Sequence, residues 1–72
     1  MKFNAAVLRA RMGELNWRVG KMAKKSGVTR QHLSAIYNSN VEPSLKLVNK
    51  MAKIVAINPM QFYKEEEKEN VK

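Results

Sequence analysis

Arg30, Gln31, Ser34 and Ala35 fall within six consecutive positions, and each has a counterpart on the edge of a base pair. A guanidinium can donate twice to a guanine, and a carboxamide pairs with the donor and acceptor of an adenine. A hydroxyl serves either role, and an alanine methyl packs on the methyl of a thymine. At about 100° per residue along a helix, these four and Asn38 share one arc, while Leu33 and Ile36 lie on the other. One side of such a helix is made for burial and the other for hydrogen bonding. Residue types alone leave a plainer reading open, in which Arg30 and Gln31 are solvated positions on an amphipathic helix.

Bond-making chemistry has little to work with here. The sequence contains no Cys, no Asp and a single His, so no nucleophile–base set, carboxylate pair or metal cluster can be assembled, and no glycine-rich phosphate loop is present. The chain reads as a non-enzyme with no cofactor, no metal and no evident small-molecule ligand. His32 has no companion ligands at zinc spacing and reads as a surface residue beside a helix cap.

The formal net charge is +8 on 72 residues. Through residue 63, eleven Lys and Arg face only Glu14 and Glu42. Residues 64–72 set Lys64, Lys68 and Lys72 against Glu65, Glu66, Glu67 and Glu69. A basic body of this kind suits a polyanion such as nucleic acid, although lysines kept for solubility would give the same balance. Lys21, Lys24 and Lys25 read as a solvated face that adds long-range attraction. The expected organisation is a domain over 1–63 and a charged tail over 64–72, frayed or disordered, with transient shielding of the basic surface as its sharper role. No apolar run reaches membrane-spanning length, no signal-peptide core is visible, and the absence of cysteine fits a reducing compartment. A cytoplasmic location without a membrane partner is expected.

Caps and periodicity predict an all-α chain of five helices. The first covers about 5–15 after an Asn4 cap, with Phe3 and Leu8 as a hydrophobic staple. The second covers about 18–25 and stops at Gly27, which accepts the left-handed conformation; its inner face is Val19, Met22, Ala23 and Ser26. The third begins after Thr29, stapled by Val28 and Leu33, and ends at Asn38-Ser39-Asn40. The fourth follows Pro43-Ser44 and runs to about Val55, with a core stripe of Leu45, Val48, Met51, Ala52 and Val55. The fifth follows Asn58-Pro59-Met60-Gln61, an Asn cap with Pro at the first helical position, stapled by Ile57 and Phe62.

With Met22-Ala23, Gly27-Val28-Thr29-Arg30, Leu33, Ile36 and Asn38 at these offsets, followed by Pro43-Ser44-Leu45 and Ile57-Asn58-Pro59 to Phe62, the chain resembles the lambda-repressor-like and Cro-like helix-turn-helix regulators. The resemblance covers about residues 5–63. It implies a compact five-helix DNA-binding domain whose third helix enters the major groove of double-stranded DNA. The base-reading positions would be Arg30, Gln31, Ser34 and Ala35. The backbone-contacting positions would be Arg18, Val19, Thr29, Asn38, Ser39, Asn40, Ser44 and Lys46. A Cro-like repressor, of the kind found in phage switches, would bind an approximately palindromic operator as a homodimer, with recognition helices about 34 Å apart.

Several positions depart from the family pattern. Val19 stands where a phosphate-binding Gln is common, so only its backbone N–H can serve. Met12 and Tyr37 replace an Arg–Glu pair of relatives, leaving neither charge stranded. Glu42 is the one charge in the loop after the third helix. Ser26 replaces an apolar residue, and Ala56 stands at the helix end where Gly is usual, which suggests a less regular turn.

Other residues admit two roles. Trp17 is expected in the core rather than stacked on a base. Tyr37 is expected to pack near Met12, with a phosphate contact as the alternative. Leu47 and Ile54, on the flank of the fourth helix, are either covered by the fifth or meet a second copy of the chain. Two further functions stay open: the DNA-binding antitoxin of a toxin pair, and a protein- or RNA-binding adaptor on the same fold.

Overall fold

A computed structural model of the protein describes residues 2–63; the expectations for the 64–72 tail lie outside the described residues. The elements are α1 (Ala5–Leu15), α2 (Val19–Ser26), α3 (Arg30–Tyr37), α4 (Leu45–Val55) and a closing 3-10 helix (Pro59–Tyr63), with no strand among the described residues.

The helix starts follow local chemistry. Asn4 Oδ1 accepts the Ala6 N–H at 3.0 Å, Thr29 Oγ1 that of His32 at 3.0 Å, and Ser44 Oγ that of Leu47 at 3.2 Å. Each satisfies a first-turn donor that the helix itself cannot. The start of α2 differs: Arg18 is its extended cap residue and makes no side-chain capping bond. The helix therefore runs one residue later at each end than the pattern predicts.

All four α-helices stop in the same way. Asn16, Gly27, Ser39 and Ala56 take positive φ between 61° and 75°. The next residue's amide then reaches back five positions: Trp17 to Met12 O, Val28 to Ala23 O, Asn40 to Ala35 O, and Ile57 to Ala52 O. These are Schellman closures. The irregular turn expected at Ala56 is not found: its amide bonds Lys53 O at 3.2 Å and that of Ile57 bonds Ala52 O at 2.9 Å. The paired bonds hold the residue in a conformation that costs a β-carbon-bearing residue roughly 1–2 kcal/mol.

The predicted fifth helix is corrected to a single 3-10 segment. Asn58 caps it as predicted, accepting the Met60 N–H at 2.9 Å, but the Gln61 amide bonds Asn58 O three residues back. Phe62 is fully buried with its ring stacked on Phe3 at a centroid distance of 5.0 Å, and its carbonyl accepts the Asn4 N–H at 2.6 Å. Docking fixes the segment by its ring and carbonyl, and five residues are too few to favour α over 3-10 winding.

The core joins Leu8 and Met12 of α1, Met22 and Ala23 of α2, Leu33 and Ile36 of α3, and Val48, Met51, Ala52 and Val55 of α4. Leu45 does not belong to the stripe predicted for it: it is 68% exposed. As the first residue of α4, its side chain leans toward the helix N-terminus and overhangs the packed interface. Ser26 is buried as the periodicity requires, and its hydroxyl has no partner.

Candidate nucleic-acid interface

The α2–α3 corner turns at Gly27, whose φ of 75° closes α2 and aims the chain into the Thr29 cap. Leu33 and Ile36 are the buried residues of α3. Its opposite arc is open: Arg30, Gln31 and Asn38 are exposed, and Ser34 and Ala35 are half-buried. The structure brings these five predicted residues onto one surface. A Cβ placed on Gly20 would meet Arg30 Nε at 4.0 Å, so the Arg30 side chain lies across the first turn of α2. Asn38 Nδ2 lies 3.5 Å from Ser34 Oγ, at the outer limit of a hydrogen bond.

The positions predicted to meet a DNA backbone lie on the elements that precede and follow α3. Arg18 is exposed and Val19 half-buried at the start of α2. Ser39, Asn40, Ser44 and Lys46 are exposed on the loop after α3 and the first turn of α4. The Schellman closure of α3 narrows what this loop can offer, since the amides of Ser39 and Asn40 already bond Ile36 O and Ala35 O at 3.1 and 2.8 Å. Their side chains remain. Thr29 and Ser44 use their hydroxyl oxygens as caps and keep the hydroxyl hydrogen for another acceptor.

Many cations of the body are engaged elsewhere. Arg9 lies 5.9 Å from the Tyr37 ring and donates to Tyr37 O at 2.6 Å. Arg11 donates to Val55 O at 2.7 Å and pairs with Glu14 at 2.8 Å. Lys21 and Lys25 stand 5.7 and 5.0 Å from the Trp17 ring, so these two lysines, read in the sequence as a solvated face, cover an aromatic. Trp17 itself packs against the core, as does Tyr37, which shares that core with Met12. Lys50 Nζ lies 3.2 Å from where a Cβ at Gly27 would sit, against the C-terminal end of α2.

Sequence reasoning missed three relationships. Gly20 carries no signal as a neighbour of Arg30. Arg9 and Tyr37 are 28 positions apart, and the bond is to a carbonyl that any residue would supply. Glu42 accepts the Phe3 N–H at 2.7 Å, so its carboxylate has a fixed structural partner. Leu47 and Ile54, the candidate dimer contacts, are half-buried and packed against the core, whereas Val41, Leu45 and Met60 are the exposed large apolar residues.

Among the described residues no group of His, Cys, Asp or Glu is placed to hold a metal, and no helix is long and apolar enough to cross a membrane. The family model described as Helix-turn-helix matches residues 8–61. No curated protein and no solved structure matches the chain.

Proposed function

The chain belongs to the lambda-repressor-like and Cro-like helix-turn-helix family, and on that premise we propose that it is a sequence-specific transcriptional regulator, a small repressor of the Cro type. One observation carries the reading: Arg30 and Gln31 stand exposed at the open end of α3, directly opposite its buried Leu33 and Ile36. In this reading α3 enters the major groove of double-stranded DNA. Arg30 reads a guanine, Gln31 an adenine, and Ser34 and Ala35 line the adjoining base edges. Arg18, the Val19 amide, Thr29, Asn38, Ser39, Asn40, Ser44 and Lys46 hold the phosphates on either side and set the register.

Two copies would occupy an approximately palindromic operator with their recognition helices about 34 Å apart. Leu47 and Ile54 would take part in the dimer through the portions of their side chains that the core leaves uncovered. Repression then needs no further activity, because an occupied operator blocks access to the promoter. With no ligand-binding or catalytic element in the proposal, control rests on the protein's concentration.

Selection from a random duplex library at near-physiological salt tests this directly. The expected product is an enriched palindrome with a guanine and a neighbouring adenine in each half. An enriched single half-site would retain the regulator and remove the dimer. Absence of enrichment would overturn the proposal and favour a protein partner.

A further inference from the structure

The loop joining α3 to α4 contains no Lys or Arg, and its one charge is Glu42. For a loop beside a phosphate backbone that is the wrong sign, yet the fold changes what stands there. Glu42 Oε2 accepts the backbone N–H of Phe3 at 2.7 Å, across 39 positions of sequence. Phe3 is held twice more, by its ring stacked on Phe62 and by the adjoining Asn4 amide bonded to Phe62 O. Lys2, exposed, is therefore tethered one peptide away from the carboxylate of Glu42. Its flexible stem and compact ammonium start one residue from the Phe3–Glu42 bond.

We propose that Lys2 supplies the cation the 38–44 loop lacks, as a DNA-backbone contact, and that Glu42 is the positioning residue that holds the Lys2–Phe3 segment against the loop. The inference rests on the reading of the chain as a DNA-binding regulator. It reverses the role a lone carboxylate would have. An acidic residue at the rim of a DNA-binding face ordinarily repels the backbone, so its removal tightens binding. A carboxylate that anchors a lysine weakens binding when removed, because the lysine is released with it.

The experiment measures binding of the full chain to two probes, the duplex recovered by selection and a mixed-sequence duplex, across a salt series. Lys2→Ala is expected to reduce the slope of log K against log salt by about 0.9, the loss of one phosphate contact, and Lys2→Arg to restore it. Lys53→Ala, at the other end of α4, is expected to change the slope less. Glu42→Ala is expected to weaken binding, and Lys2→Ala made in that background to add little, a non-additivity that two independent charges would not show. Thermal melts followed by circular dichroism confirm that each variant is folded at the assay temperature.

If Glu42→Ala does not fold, Glu42→Gln keeps an acceptor for the Phe3 amide and is expected to leave the Lys2 share of the slope intact. Loss of that share in a folded Glu42→Gln would overturn the positioning role. The inference is also overturned if Lys2→Ala leaves the slope unchanged, or if Glu42→Ala tightens binding while Lys2→Ala keeps its full effect. Wild-type protein that binds neither duplex in a salt-dependent way would overturn the DNA-binding reading together with the inference. Wild-type binding with an unchanged Lys2→Ala slope overturns the inference alone.

Discussion

Arg30 of α3 lies over Gly20 of α2, its Nε 4.0 Å from the point where a β-carbon on that glycine would stand. The two residues sit ten positions apart on the two helices of the corner, and the absent side chain of one makes room for the guanidinium of the other. Gly20 lies inside a helix, where glycine is about 0.8–1.0 kcal/mol less favourable than alanine. The space above it admits a β-carbon in ordinary contact with Arg30 Nε, so only a longer side chain would reach the guanidinium.

Gly20→Ala should fit, because 4.0 Å is ordinary van der Waals contact, and it should stabilise the fold by a few tenths to about 1 kcal/mol with base preference unchanged. Gly20→Leu should stay folded but displace the guanidinium, flattening the preference at the base assigned to Arg30. The check is to repeat the duplex selection with each variant. An unchanged profile for Gly20→Leu would show that Arg30 does not depend on this space.

Arg30→Ala and Lys46→Ala should fail differently. Loss of a base-reading guanidinium should cost about 1–3 kcal/mol on the preferred duplex and relax the preference at one position. Loss of Lys46 should weaken all duplexes alike and lower the salt slope by about 0.9. Competition titrations against matched and mismatched duplexes separate the two. Equal weakening of all sequences by Arg30→Ala would remove Arg30 from base reading.

The parts of this fold legible in the sequence are those whose partners lie within one helical turn. Asn4, Thr29, Ser44 and Asn58 cap amides two or three residues on, and such spacings can be read directly. The core stripes of α2 and α3 are legible for the same reason. Leu45 escaped because periodicity assigns a face without saying where the packed interface ends. The bond from Arg11 to Val55 O spans 44 positions and ends on a carbonyl, a group every residue carries, so no residue type announces it. At the candidate site, the outward arc of α3 was readable, while the space under Arg30 and the anchoring of Phe3 by Glu42 depend on tertiary placement.

Ser26→Ala should raise stability. The Ser26 hydroxyl is buried without a hydrogen-bond partner, a situation that costs about 1–3 kcal/mol, and alanine is also the better helix former. A gain of about 1 kcal/mol would raise the melting temperature by about 4–8 °C in a domain of this size. A calorimetric melt that moves downward would mean that the hydroxyl has a partner in solution.

Ala56→Gly should also stabilise, by about 0.5–1 kcal/mol, because glycine takes the left-handed conformation without the steric cost of a β-carbon, partly offset by its greater freedom when unfolded. The same change at Lys53, one turn earlier in α4, should destabilise by up to about 1 kcal/mol. Chemical denaturation of the pair reads both signs; destabilisation by Ala56→Gly would contradict the left-handed helix end at residue 56.

The junction of Phe3 and Asn4 with Phe62 sets a condition on how the molecule comes into being. Both the stacked rings and the 2.6 Å bond from the Asn4 amide to the Phe62 carbonyl join residues almost sixty positions apart. During vectorial synthesis, α1 leaves the ribosome with the site for Phe62 empty, and that site stays empty until the closing 3-10 segment emerges. The domain therefore completes itself after translation has passed residue 62, and a polypeptide truncated before that point carries all of α3 without the junction that closes the fold around it.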